Sequence, residues 1–318
     1  MGIEGIIGQE PILKSFMDMN QTGTLGHAYV LTGPEGIGKR TLASAISKML
    51  LCYDKPGVAP CGKCNACKSF DAFSNPNFTK VTPRTQKMLI EQIRVIVEDV
   101  GIKPAQGRKV YLIENADHMT PQAQNCLLKT LEEPPPYAVI LMTAVNYESF
   151  LITIRSRVVR YPLRRYTNDE IKMILLKNGI TDNQDTVVAY SEGIAGKAIT
   201  LSHNEQFRLS REKVFDFLFD RNSNSTKDCE LNLYLSKSKE AFNECADILE
   251  SVYRDTMLVL SGKTDGLINS DKKDKILEYA HNNNIQYMIE KIMKLNEVRE
   301  HLKSYMNYQL AVDMITLV

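Results

Sequence analysis

The chain has 318 residues, enough for two or three domains, with 39 Lys+Arg against 38 Asp+Glu for a net charge of +1, and it is 43% hydrophobic and 24% charged. These values exclude a disordered or low-complexity chain, and they exclude a one-sign surface field strong enough to announce a nucleic-acid or membrane partner. No apolar run approaches the roughly 18 to 20 residues of a spanning helix, and Met1-Gly2-Ile3-Glu4-Gly5 has no basic stretch leading an apolar one, so a soluble cytoplasmic protein with no membrane partner is expected.

Along the chain, short β-type runs alternate with helix-like stretches, and Tyr29–Thr32, Phe78–Thr82, Lys109–Ile113 and Ala138–Thr143 are the predicted strands. That alternation predicts an α/β domain, a parallel sheet covered by helices. Ile90, Ile93, Val97 and Val100 recur at helical spacing. Thr120-Pro121 supplies a cap and first-turn proline for a helix running to Leu131, which Glu133-Pro134-Pro135-Pro136 stops. Beyond Tyr161-Pro162 strand signals cease, and the capping box Thr167-Asn168-Asp169-Glu170 opens a helix that Gly179 ends. After residue 203 glycines become scarce, and amphipathic stretches such as Ile285–Lys303, broken at Asn222–Lys227 and Ser261–Lys273, predict a helical bundle. The expected domains are therefore 1–161 (sheet), 162–203 (small and helical) and 204–318 (helical). Residues 1–203 hold 23 basic and 19 acidic side chains, leaving 16 and 19 for the remainder, so the two parts carry +4 and −3.

The first strand runs directly into Gly33-Pro34-Glu35-Gly36-Ile37-Gly38-Lys39-Arg40-Thr41 and then a helix-forming run. Strand, glycine loop and helix together are the context of a phosphate-binding loop: glycines Gly33, Gly36 and Gly38 let backbone N–H groups turn inward, and Lys39 can reach outer phosphates. The complete motif places a Ser or Thr directly after the lysine to hold Mg²⁺. Here that position is Arg40, which cannot ligate a cation, and Thr41 lies about 100° further around the helix. The third strand ends in Glu114-Asn115, where an ATPase of this class has Asp-Glu: Glu114 keeps a metal-binding carboxylate, and Asn115 offers no base. Together the two departures predict very slow or absent hydrolysis, with ATP binding left to Lys39 and Mg²⁺ binding doubtful.

Seven cysteines include four in the pattern C-x8-C-x2-C-x2-C: Cys52, Cys61, Cys64 and Cys67. Four soft ligands suit one structural Zn²⁺ per chain, as a staple between the helix after the glycine loop and the second strand; buried free thiols or an iron–sulfur cluster are the alternatives. Arg155, Arg157, Arg160, Arg164 and Arg165 fall within eleven residues with no acidic residue between them. A basic run is ordinarily a solvated face, and that reading stands beside a functional one for Arg160, Arg164 and Arg165. Ser156-Arg157, at the edge of the sheet domain, is placed to reach a neighbouring subunit and stabilise charge on a transferring phosphoryl group.

Together with Ile7-Gly8-Gln9, His27-Ala28-Tyr29, the run Asn125-Cys126-Leu127-Leu128-Lys129-Thr130-Leu131-Glu132-Glu133-Pro134-Pro135, Thr153-Ile154-Arg155-Ser156-Arg157 and Asn307-Tyr308-Gln309-Leu310-Ala311, these motifs resemble bacterial clamp-loader subunits of the AAA+ ATPase superfamily over nearly the whole chain. The resemblance implies a RecA-like AAA+ domain with a zinc-knuckle insert, an all-α lid and an all-α collar. It also implies a hetero-pentameric ring with delta and gamma/tau subunits, acting on the sliding clamp and primed DNA in DNA replication. Lys39 then matches the phosphate-loop lysine, Glu114 the metal carboxylate, Thr143 the first sensor, and Arg157 the arginine of a Ser-Arg-Cys motif whose cysteine is here Val158. Gly196 stands where motor subunits carry a second-sensor arginine. The implied role is a non-motor scaffold subunit that supplies Arg157 in trans as an arginine finger; the alternative is an ATP-hydrolysing gamma/tau-type motor. A stand-alone zinc-dependent nucleic-acid binder is disfavoured, because no aromatic residue lies between Cys61 and Cys67.

Overall fold

A computed structural model describes residues 5–54, 60–182, 184–219, 226–303 and 306–316. The described residues form two compact units, Met1–Ile174 with Gly193–Lys197, and Leu175–Glu192 with Ala198–Val318.

The first unit is built on a parallel sheet of β1 (Ala28–Thr32), β2 (Phe78–Val81), β3 (Lys109–Ile113), β4 (Ala138–Ala144) and β5 (Val159–Pro162), in the order β2-β3-β4-β1-β5. Strands β1, β3 and β4 are buried along their whole length, as apolar runs covered on both faces should be. Alternate residues feed two separate cores. On one face Val30, Tyr111, Ile113, Ile140 and Met142 pack with Ile93 and Ile96 of α4 (Ile90–Asp99) and with Leu127 and Leu131 of α5 (Pro121–Glu132). On the other, Tyr29, Leu31, Val110, Leu112 and Leu141 pack with Leu13 and Phe16 of α1 (Glu10–Thr22) and with Leu42, Ile46 and Met49 of α2 (Lys39–Leu51).

The four predicted strands form, each within a residue of its expected ends. The fifth, β5, was not among the predicted strands and ends at the expected boundary, Tyr161-Pro162. Its side chains are mostly exposed and it ends in Pro162, so its own pattern is not that of a buried strand. It forms because β1 offers an open edge, along which Tyr29 pairs with Val159 and Leu31 with Tyr161. Thr120 caps α5 as expected, its hydroxyl accepting from the Ala123 N–H. The capping box also forms: Glu170 accepts from the Thr167 N–H at 2.8 Å, and Thr167 accepts from the Glu170 N–H at 3.3 Å.

The second unit is helical. Its centre is the 22-residue helix Lys239–Leu260, whose Phe242, Leu249, Val252 and Tyr253 are buried among side chains from helices Glu205–Phe219, Lys273–His281, Ile285–Lys303 and Tyr308–Thr316. The predicted break after Ser261 is pinned from below: fully buried Asp255 accepts from the Ile268 and Asn269 N–H groups at 3.0 and 2.7 Å. The other predicted break, Asn222–Lys227, falls largely outside the described residues. Among the described residues no helix is long and apolar enough to cross a membrane.

Candidate functional site

The glycine loop leaves the carboxyl end of β1, between β4 and β5, where a parallel sheet opens its crevice. Gly36 and Gly38 hold φ of +77° and +96°, a backbone region that side chains other than glycine's strain to adopt. Lys39 opens α2 and is 7% exposed. Its ammonium folds back into its own loop and donates to the Gly33 and Pro34 carbonyls at 2.8 Å each. Burial lowers its pKa, against the opposing charges of Asp117 and Glu35.

Glu114, directly after β3, is buried. Its two oxygens are taken by two protein cations, Oε1 by Lys80 Nζ at 2.9 Å and Oε2 by Arg40 Nε at 3.4 Å. The residue that replaces the metal-binding hydroxyl therefore reaches the carboxylate that would share the metal. Two positive groups already neutralise that carboxylate, and neither can serve as a ligand, so the donor set does not fit Mg²⁺. Lys80 was not among the sequence candidates. It lies on the edge strand β2 and is brought to Glu114 by sheet register, in which the Glu114 N–H bonds the Val81 carbonyl at 2.9 Å.

Asn115 takes φ +50°, and its N–H donates to the Thr143 hydroxyl at 3.0 Å, so the expected sensor on β4 reads the turn after β3. Asp117 accepts from the Val145 and Asn146 N–H groups at 3.0 Å each, and its other oxygen is buried without a hydrogen-bond partner among the described residues. Gly196 does more than lack an arginine. Its N–H donates to the Gly36 carbonyl at 2.8 Å, seating the start of the helix Ala195–His203 directly on the glycine loop. Tyr166 closes the other side: its ring lies on Gly8, its hydroxyl donates to the Ile37 carbonyl at 3.1 Å, and its N–H donates to the Gly193 carbonyl. Thr41 is exposed on α2, outside these contacts.

The four cysteines converge. The Sγ atoms of Cys52, Cys61, Cys64 and Cys67 all lie within 4.8 Å of one another, and none is in a disulfide. Four sulfurs about 2.3 Å from a common tetrahedral centre stand about 3.8 Å apart, which falls inside that limit. Backbone N–H groups of Cys61, Cys64 and Cys67 point at the sulfurs of Cys52, Cys61 and Cys64 at 3.3–3.4 Å, the donation that thiolates require. Burial pushes the Cys67 thiol up to about 12. Burial also works to raise Cys64, but hydrogen bonds from the Tyr53 and Cys67 backbone and from the Cys61 and Cys67 side chains together outweigh it and bring that thiol down to about 6. The insert is tied to the sheet unit by buried Lys48 of α2, whose ammonium contacts both oxygens of Asp71, the last residue of α3 (Asn65–Asp71), at 2.7 Å. Of the remaining cysteines, Cys126 is half-buried and Cys245 buried, and the side chain of Cys229 lies outside the described residues.

Arg157 follows α6 (Ile152–Arg155). Its Nη1 donates to the Thr153 carbonyl at 2.9 Å and the Ser156 hydroxyl at 3.2 Å, while Nη2 meets Glu132 at 2.9 Å. A third of the side chain stays exposed. Arg160, Arg164 and Arg165 are all exposed, as a solvated face would be, and the first two have side-chain partners. Arg160 donates to the Thr32 hydroxyl at 3.2 Å and covers the Tyr147 ring at 4.4 Å, and Arg164 forms a two-pronged pair with Glu170 at 2.8 and 2.6 Å.

The parallel sheet, its glycine loop and the strand-end residues beside that loop define an α/β module of phosphate-loop type, carrying a four-cysteine insert and followed by helices. Comparison with known proteins says which: the family described as "DNA polymerase III, delta subunit" matches residues 8–167, its C-terminal counterpart matches residues 206–317, and the chain belongs to this family. The expected clamp-loader resemblance therefore holds. The DNA polymerase III subunit delta' of Bacillus subtilis is 26% identical over 317 residues, covering 98% of this chain and 95% of that protein. The gamma subunit of Buchnera aphidicola is 27% identical over 340 residues, covering 98% and 93%. Among solved structures, a gamma subunit-related protein of Thermotoga maritima aligns at a TM-score of 0.42 with 21% identity, covering 92% of this chain and 99% of that one.

Proposed function

We propose that this chain is the delta-prime-type, non-motor subunit of the bacterial clamp loader, working in DNA replication beside delta and gamma/tau subunits in a hetero-pentamer that acts on the sliding clamp and primed DNA. The observation that carries this reading is the Arg40–Glu114–Lys80 cluster. A motor needs that carboxylate for its cation; here it is committed to the protein's own charges, and Asn115 beside it has no basic group. The chain's chemical contribution is instead Arg157, offered in trans to the ATP site of an adjacent gamma/tau subunit. The guanidinium is exposed enough to reach a phosphate and is already held in orientation by three contacts, so little rotamer freedom remains to be lost on docking.

Cys52, Cys61, Cys64 and Cys67 hold one structural Zn²⁺ in this proposal. An all-thiolate set closes the coordination sphere and leaves no position for a reacting water. Residues 162–203 and 204–318 serve as lid and collar, and the protein works in the cytoplasm.

The competing reading, a gamma/tau-type motor, draws on the full-length similarity to the Buchnera gamma subunit. The two separate in one assay on the isolated chain with Mg²⁺, fluorescent-nucleotide binding followed by phosphate release. The scaffold reading expects no turnover above background, with or without binding through Lys39. Turnover at roughly 1 s⁻¹ or faster, the range of working phosphoryl-transfer enzymes, would make the chain a motor.

A further inference from the structure

We propose that Glu132 is a positioning residue for Arg157, and that this is the work of the Glu-Glu-Pro-Pro run. The inference rests on reading Arg157 as the arginine given in trans. Glu132 is the last residue of α5, and Glu133 has already left helical geometry at φ −123° and ψ 64°. Pro134, Pro135 and Pro136 forbid any continuation, so the run fixes where α5 ends and where Glu132 stands. From that place its Oε1 contacts Arg157 Nη2 at 2.9 Å, while Nη1 is engaged by the Thr153 carbonyl and the Ser156 hydroxyl. Two contacts come from the arginine's own turn. Among the described residues only Glu132 comes from another part of the chain, and it ties the guanidinium to the end of α5.

The location argues against a purely structural purpose. A carboxylate at the carboxyl end of a helix faces the negative end of the helix dipole, which disfavours it. The pair is also half in solvent, with side chains 34% and 48% exposed, where an ion pair adds little stability. What such a pair does well is restrict the direction of a long side chain. An exposed pair is also weak enough for Arg157 to exchange the carboxylate for a phosphate when a neighbour presents one.

The test uses the loader assembled with its delta and gamma/tau subunits, comparing wild type, Glu132→Ala, Glu132→Gln, Arg157→Ala and the Glu132→Ala/Arg157→Ala double variant. The inference expects Glu132→Ala to lower kcat for DNA-stimulated ATP turnover about two- to fivefold, the range an exposed ion pair can control, with KM for ATP little changed. The isolated variant should melt no lower than wild type, since an unfavourable helix-end charge has gone. In the Arg157→Ala background the same change should have no further effect, because a residue acting only through Arg157 has nothing left to act on. Glu132→Gln keeps the shape and an acceptor and should fall between. Wild-type turnover by Glu132→Ala beside an impaired Arg157→Ala overturns the positioning role and leaves the donated arginine standing. Additive losses in the double variant assign Glu132 a separate structural role, which also overturns it. Wild-type turnover by Arg157→Ala removes the underlying reading and the inference with it.

Discussion

Replacing Gly196 with alanine isolates the contact between the glycine loop and the helix that follows Ile194. An added Cβ at residue 196 would stand 2.7 Å from Gly36 Cα and 2.9 Å from the Gly36 carbonyl oxygen. Both are backbone atoms, so no side-chain rotation relieves the clash, and the two segments must separate by about 0.7 Å to reach ordinary contact. Separation of that size costs roughly 1–3 kcal/mol in overpacking and strains the 2.8 Å hydrogen bond from the Gly196 N–H to the Gly36 carbonyl, worth about 1 kcal/mol. Alanine's better helix propensity returns about 1 kcal/mol. The net is a destabilisation of about 1–3 kcal/mol, or a fall in Tm of about 3–10 °C for a unit of this size. Calorimetry on the isolated protein measures it, with Gly23→Ala as the control: Gly23 has φ +71° and nothing within 4 Å of the added Cβ, so only backbone strain of about 1 kcal/mol applies there. If Gly196→Ala melted at or above the wild-type temperature, propensity would outweigh the clash, and the seating of residues 193–197 on the loop would be too loose to matter.

Elemental analysis should find one zinc per chain, and stripping the metal with a chelator should lower Tm by about 5 °C or more; a metal-free protein of equal stability contradicts the zinc assignment. Glu170 gives a pH signature, since the hydrogen bonds from Arg164 hold its carboxyl at about 2, below the ordinary 4.5. Between those values the unfolded chain binds more protons, so this stabilisation is complete above about 4.5 and disappears as pH falls towards 2. Allowing for the exposed Arg164, it amounts to about 1 kcal/mol, so urea midpoints of wild type and Glu170→Gln should differ at pH 7 and converge near pH 2; an equal gap at both pH values rules this pair out as the source.

The parts of this molecule legible in its sequence are those whose signals are local. The glycine loop, the Thr120 cap, the Thr167–Glu170 box and the helix Ile285–Lys303, which forms over the predicted range, are each specified by neighbours in the chain. Strand β5 was hidden because it is recruited by an open edge of β1 and carries no alternating pattern of its own. Arg40, Asn115 and Gly196 were visible as departures, but only the fold gives them content. Arg40 lies on α2 and Glu114 directly after β3, and sheet order brings them together with Lys80. Gly196 read as a missing arginine; in the fold it is the one residue type thin enough to lie against Gly36. Glu132 and Tyr166 had no chemical signature in the sequence, because what distinguishes them is the group each touches across the fold.

The central claim is that this subunit's chemistry is given to a neighbour rather than kept. The most direct measurement is DNA-stimulated ATP turnover of the assembled loader with Arg157→Ala or Lys39→Ala in this subunit alone. The account predicts that Arg157→Ala lowers turnover at least about tenfold with the ring still assembled, while Lys39→Ala stays near wild type. Turnover that collapses with Lys39→Ala and survives Arg157→Ala would contradict it.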